Sequence, residues 1–305
     1  MRDLSAFFEE LMEKIAFPEE SRDTFRNVNS KLLASDEYKA EFDEIYNTCI
    51  NQDFDDIHTH LDKMVSLGEK FGAHEYTSEL FFFMYSAYDL KARYEKEGID
   101  ESIYWDSMCD LRAKLIECHD VYGIWGSFVA SWFRGFFNVS RFALGRLQFE
   151  ETDFGPENGY EFNGIKVENG ESVINIHIPS LGRLPIESVY DALERAYKFY
   201  SEFVRKDGIM VFVCGSWLLY KENKDFYPDG NLMKFINCFD IIESHDNDTF
   251  GDCWRVFGKY KDLPANELPQ DTSLRKAYAE RLMAGKPTGG GFGVILFDGK
   301  NIINK

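Results

Sequence analysis

The sequence lacks any excess of positive charge: 34 basic residues stand against 53 acidic ones, for a formal net charge of -19. A general attraction to phosphate backbones or anionic lipid is excluded, and neither nucleic acid nor a membrane is an expected partner. A local basic pocket for a phosphorylated ligand is still allowed, because net charge describes the whole surface and not one cleft. Paired-cysteine spacing is missing as well. Cys49, Cys109, Cys118, Cys214, Cys238 and Cys253 form no CxxC motif and lie in stretches that read as helix or strand interior. They are expected as reduced, buried thiols, which suits the cytoplasm. A secretory leader is not expected either, since Asp3, Glu9, Glu10 and Glu13 fall where a basic start and an apolar run would be needed.

One segment, 121–139, is nearly free of charge over a length that could span a bilayer. Arg134 lies inside it, and Gly123, Gly126, Ser131 and Gly135 alternate with bulky aromatics. That pattern predicts a buried central helix packed on other protein elements rather than a membrane span. No internal repeat and no low-complexity linker interrupts the chain.

What is present is a sizeable folded core: 305 residues, 44% hydrophobic, with 28 Phe and 16 Tyr. That length favours two domains. Residues 1–140 read as successive amphipathic helices. Leu4, Phe8, Leu11 and Ile15 keep the helical period until Pro18; Phe54, Ile57, Leu61 and Met64 repeat it, as do Tyr104, Met108, Leu111, Leu115 and Cys118. Asp36, Asp53 and Asp100 are expected N-caps.

The pattern changes after Ser140. Residues 142–150 alternate, with Gly145, Leu147 and Phe149 on one face and Arg146, Gln148 and Glu150 on the other, as in a half-buried strand. Glu168-Asn169-Gly170-Glu171 reads as a hairpin-type turn between Ile165 and Val173, and 172–178 as a second strand. Val189, Leu193, Ala196, Tyr200 and Phe203 form one helical stripe, with Pro185 allowed at its start. The apolar run 209–214 suits a strand covered on both faces. A short helix over 230–239, a strand over 253–257, a helix from Thr272 to Gly285 and a strand over 293–297 complete the order. The expected fold is a helical domain, 1–140, followed by a mixed α/β domain, 141–305.

Four blocks, 145–150, His177-Ile178-Pro179-Ser180-Leu181-Gly182, Ser216-Trp217-Leu218-Leu219 and 231–235, sharpen this order. The chain resembles a bacterial acyltransferase-like family that pairs a helical N-terminal domain with a GNAT-like C-terminal domain, and the resemblance covers essentially its whole length. It implies an acyltransferase but not its substrate; the expectation is an acyl-CoA-dependent N-acyltransferase whose acceptor, an amine on a small molecule or peptide, is unidentified. The GNAT coenzyme loop usually reads Arg or Gln, two residues, Gly, one residue, then Gly or Ala. With Gly182 aligned, Pro179 and Leu184 occupy the outer positions and only the central glycine matches. A binding or scaffolding protein that kept the architecture without the chemistry is the alternative this departure leaves open.

The candidate site follows. Ser180, Leu181, Gly182 and Arg183 join a strand end to a helix N-terminus whose unpaired amides favour an anion, so they are the expected coenzyme contacts. Glu187, in the first helical turn, opposes that charge and Arg183 offsets it. Asn175 and His177 share one strand face; paired with 146–150, that face would gather Arg146, Gln148, Glu150, Asn175 and His177. Such a cluster is either a solvated sheet face or a site in which His177 or Glu150 takes a proton from an attacking amine. Ser216 or Tyr220 could protonate a leaving thiolate, although a capping role for Ser216 is also open. Cys214-Gly215-Ser216-Trp217 is not the Gly-x-Ser-x-Gly of a hydrolase. Thr288-Gly289-Gly290-Gly291-Phe292-Gly293 is expected as a flexible connector rather than a nucleotide loop. His58 and His60 lie two apart on a helix and would not share a metal ion, so no metal is expected. The acceptor pocket is expected between the helical domain and the sheet, with aromatics of 125–137 contributing.

Overall fold

The computed structural model describes residues 1–227 and 229–305. The chain divides into two compact units, Met1–Phe142 and Ala143–Lys305.

The first unit is helical: α1 Ser5–Lys14, α2 Glu19–Leu33, α3 Asp36–Asn51, α4 Ile57–Lys70, α5 Glu75–Glu97, α6 Glu101–Tyr122 and a short α7 Arg134–Phe137. Pro18 stands at the N-cap of α2, where a missing amide costs nothing. Over 80–87 helix α5 is buried on every side, through Leu80, Phe81, Phe82, Phe83, Met84 and Tyr85 among others. Phe42 and Tyr46 of α3 meet Tyr85 edge-on at 4.7 and 4.8 Å.

The stretch 121–139, expected as one buried helix, is broken into pieces instead. Gly123 adopts φ 72 and closes α6, and Gly126 lies so near the Tyr76 backbone that a Cβ would approach it to 2.4 Å. A left-handed C-cap and a backbone docking point both need glycine, so the residues that made the run look tightly packed are those that interrupt it. Among the described residues no helix is long and apolar enough to cross a membrane. Asp100 caps α6 by accepting from the Ser102 amide at 2.8 Å. Ser35, not Asp36, caps α3, and Asp53 sits at φ 48 in the turn before α4.

The second unit carries β1 Arg141–Leu144, β2 Leu147–Asp153, β3 Tyr160–Phe162, β4 Ile165–Val167, β5 Ser172–His177, α8 Ile186–Phe199, β6 Met210–Ser216, α9 Asn223–Phe226, α10 Asn231–Ile236, β7 Asp240–Asn247, α11 Cys253–Phe257, α12 Ser273–Met283 and β8 Thr288–Phe297. Six strands form a mixed sheet in the order β1-β2-β5-β6-β8-β7, and β3 and β4 form a separate hairpin. β5 and β6 run parallel, and α8 makes the crossover that such a pair requires.

The two faces of this sheet differ. On one, Tyr197 of α8 meets Phe297 at 6.0 Å, and the Tyr200 hydroxyl donates to the Phe149 carbonyl at 3.0 Å. Phe149, Phe212 and Phe297 form a row of rings on that side, above the buried stripe Val189, Ala192, Leu193 and Ala196. On the other, Val173, Val211, Val213, Val294 and Leu296 pack with Tyr160 and Val167 of the β3–β4 hairpin. That hairpin turns at Asn163 and Gly164, both at positive φ.

Four sequence expectations change here. Residues 142–150 are not one strand: Gly145, at φ 78, turns the chain between β1 and β2. The turn at 168–171 leads from the hairpin into the main sheet, because β4 pairs with β3 and β5 pairs with β2. Cys253–Phe257 is helix α11, and the missing strand is β7, an acidic edge strand mostly exposed to water. Edge strands tolerate charge on both faces, so β7 has little apolar alternation to reveal it. The segment expected as a flexible connector, 288–293, is the first part of β8. Its glycines admit neighbouring backbone: a Cβ on Gly291 would come within 2.0 Å of the Leu219 carbonyl oxygen, and one on Gly289 within 2.1 Å of that of His245.

Candidate active site

Because β2 and β5 are antiparallel with Gln148 opposite His177 and Glu150 opposite Asn175, these four side chains project from one sheet face. They continue the Val173 side, beyond the apolar patch covered by the hairpin. His177 Nε2 lies 2.6 Å from Glu150 Oε1, and both side chains are about one-fifth exposed, at 21% and 22%. Asn175 Nδ2 approaches the same nitrogen at 3.2 Å. One ring nitrogen cannot donate to a carboxylate and accept from an amide at once. The shorter contact, to Glu150, favours the tautomer in which Nε2 donates to the carboxylate and Nδ1 carries the lone pair.

Arg146 is not part of that row. Released by the Gly145 turn, its guanidinium reaches the loop between β5 and α8, where it donates to the carbonyls of Pro179 at 2.9 Å, Gly182 at 2.9 Å and Arg183 at 3.0 Å. Ser180, Gly182 and Arg183 are exposed on this loop and Leu181 is half-buried. Gly182 has φ 82 with nothing within 4 Å of the place a Cβ would take, so the corner borders open space. Only glycine holds that conformation without strain. Glu187 lies exposed in the first turn of α8.

Beside this loop the sheet parts. β5 and β6 pair only at Ile174 with Phe212 and Asn175 with Val213. Beyond that point Ile176 and His177 continue with β2, while Cys214, Gly215 and Ser216 continue with β8. The carboxyl ends of two neighbouring parallel strands therefore diverge, the position where open α/β sheets take ligands. Gly215 is exposed there.

Ser216 projects from the opposite face to His177, since Asn175 pairs with Val213 and side chains alternate along β6. Its Oγ accepts from the Leu218 amide at 3.2 Å and caps the short 3-10 turn Trp217–Leu219. His177 and Glu150 are thus brought together, and Ser216 is not brought to them. Tyr220 donates to Asp246 at 2.6 Å, and burial together with that carboxylate pushes its hydroxyl up to about 12. Cys214 is 1% exposed, and burial pushes its thiol up to about 12, which leaves no thiolate for nucleophilic work.

Elsewhere, His60 is buried with Nε2 2.8 Å from Gln52, while His58 points to solvent. No group of three metal-ligating side chains occurs among the described residues. The reach of Arg146 is the feature that strand alternation concealed. The signal available was Gly145 immediately before it, a turn residue inside an otherwise alternating run.

Known proteins give these geometries a context. The GNAT-like C-terminal domain family matches residues 142–295, and the N-acyltransferase N-terminal domain family matches residues 6–139. No curated protein matches the sequence. Among solved structures, an acyltransferase in complex with decanoyl-CoA and teicoplanin is 19% identical with a TM-score of 0.71, over 94% of this chain and 87% of that one. An acyltransferase in complex with CoA and 10C-teicoplanin is 20% identical with a TM-score of 0.67, over 96% and 95%. At such identity the likeness shows a shared fold.

Proposed function

We propose, because the chain belongs to the family of the GNAT-like C-terminal domain, that it is an acyl-CoA-dependent N-acyltransferase. The parting of β5 from β6 beyond Asn175 and Val213 carries this reading. The gap offers a slot for the thioester's extended arm, between the Ser180–Arg183 corner and the face bearing His177.

The residues present suit such a substrate. Outward amides and Arg183 at the N-terminus of α8 favour a pyrophosphate, and Gly182 borders open space. Glu187 opposes the charge from the first turn, so the loop's own amides and Arg183 must outweigh it. Glu150 contacts Nε2 of His177 and orients the imidazole, which takes a proton from the attacking amine, directly or through water. The amine nitrogen bonds to the thioester carbonyl carbon, the carbon–sulfur bond breaks, and the imidazolium returns its proton to the departing thiolate. Ser216 acts as a cap in this scheme. With Cys214 buried and protonated, transfer is direct and forms no acyl-enzyme.

The proposed acceptor is an amine on a small molecule or peptide. The structures of neighbouring acyltransferases with teicoplanin and 10C-teicoplanin support including a glycopeptide in that class. Six free cysteines suit a reducing compartment, and the cytoplasm is proposed on that ground.

Calorimetry with CoA, acetyl-CoA and longer acyl-CoAs tests the reading. Saturable binding is expected, with His177→Ala binding equally but losing about 10²-fold or more in thiol release with an accepted amine. Absence of heat at millimolar acyl-CoA would defeat the proposal. Tight CoA binding without turnover on any amine would favour the non-catalytic alternative, for which the departed loop speaks.

A further inference from the structure

Arg146 lies outside the residues just assigned, yet its guanidinium holds one turn of the coenzyme loop by three carbonyls, those of Pro179, Gly182 and Arg183. Among the described residues no peptide bond is cis. In a trans peptide the N–H points opposite to the C=O. Fixing those carbonyls on Arg146 therefore turns the amides of Ser180, Arg183 and Leu184 to the far side of the loop. None of the three has a hydrogen-bond partner among the described residues. Leu181, whose peptide Arg146 does not hold, instead donates its amide to the Pro179 carbonyl at 2.8 Å.

We infer that Arg146 is a positioning residue for the pyrophosphate-bearing end of the thioester substrate, acting through the loop and without touching the ligand. This rests on the acyl-CoA reading above. Its charge-assisted hydrogen bonds polarise three peptides, so that the N–H ends facing outward become better anion donors. The arrangement explains how a loop with Pro179 and Leu184 at the usual outer positions can still present amides to a phosphate. Shape that other members obtain from loop sequence comes here from a half-buried cation behind the loop. Gly145, at φ 78, aims that cation.

The experiment compares two thioesters, acyl-CoA and the matching acyl-pantetheine, which lacks the pyrophosphate. Arg146→Ala should raise KM for acyl-CoA about tenfold or more, the scale of a lost charge-assisted hydrogen bond, with kcat changed less than about twofold. KM for acyl-pantetheine should not move. Arg146→Lys, which keeps the charge but not the fork, should recover part of the loss. If the alanine variant does not fold, the lysine variant carries the same comparison and must show the same selective rise. Equal losses on both thioesters, or an unchanged KM for acyl-CoA, overturn the inference and leave the acyltransferase reading standing. Unmutated protein that binds neither thioester brings down that reading and this one together.

Discussion

At the scale of single residues, burial acts on titratable groups in ways the sequence does not announce. Glu79, on α5, has its carboxyl pushed up to about 7, by desolvation first and by the neighbouring charges of Glu75 and Asp62 after it. A carboxyl raised in the folded state binds more protons there than in the unfolded chain. Its contribution to stability is complete below the ordinary value of 4.5 and is lost as pH rises through about 7. Glu79→Gln does not titrate, so it should gain on the parent protein between pH 5 and pH 8. About 1–2 kcal/mol is expected, once the partial access of water to the carboxyl is discounted. Chemical denaturation at both pH values measures it, and a difference that stays flat would contradict the assignment. His177 illustrates the converse: its residue type and strand parity were readable in advance, whereas its partner was not. Glu150 could be placed beside it only once β2 and β5 were known to be adjacent and antiparallel in that register.

At the scale of elements, glycine explains most of the differences between expectation and structure. A glycine in a run has several physical uses, and the run itself does not say which applies. Gly145 makes a turn inside an apparent strand, Gly123 ends an apparent long helix, and Gly289 and Gly291 let backbone approach strand β8. The last of these is testable. Gly291→Ala sets a Cβ 2.0 Å from the Leu219 oxygen, so either the Trp217–Leu219 turn or β8 must shift. A loss of about 2–4 kcal/mol is expected, in the range of severe overpacking. Gly290→Ala meets only the His245 ring, at 3.1 Å, and should cost less than about 1 kcal/mol because a side chain can move aside. Equal denaturation midpoints for the two variants would refute the close-approach explanation. The helical stripe of α8 and the apolar run of β6 were legible because both are covered by their neighbours, and burial is what writes a hydrophobic pattern. β7 was not, because an exposed edge strand needs no such pattern.

At the scale of the whole molecule, charge sets the terms on which the proposed anionic substrate would arrive. With a net charge of -19, the protein repels coenzyme A at long range whatever its loop does at contact. Raising ionic strength from about 0.01 M to 0.15 M shortens the screening length from about 30 Å to about 8 Å, so the association rate for coenzyme A should rise. Stopped-flow binding at the two salt concentrations reads this directly, and a falling rate would mean that a local basic field governs entry. Composition and periodicity by themselves determined the helical first part and the mixed α/β second part, while turn chemistry marked the loop before α8 and summed charge set the expectation against nucleic acid. Those features depend on local period, turn chemistry and summed charge, which are properties of a one-dimensional string. Tertiary structure alone decided that β5 and β6 part after two residue pairs, that Glu150 meets His177, that Ser216 faces the other way and that Arg146 holds the loop. Each of these joins residues 27 or more positions apart, or fixes which side of a sheet a residue takes, and only strand order and register can set that.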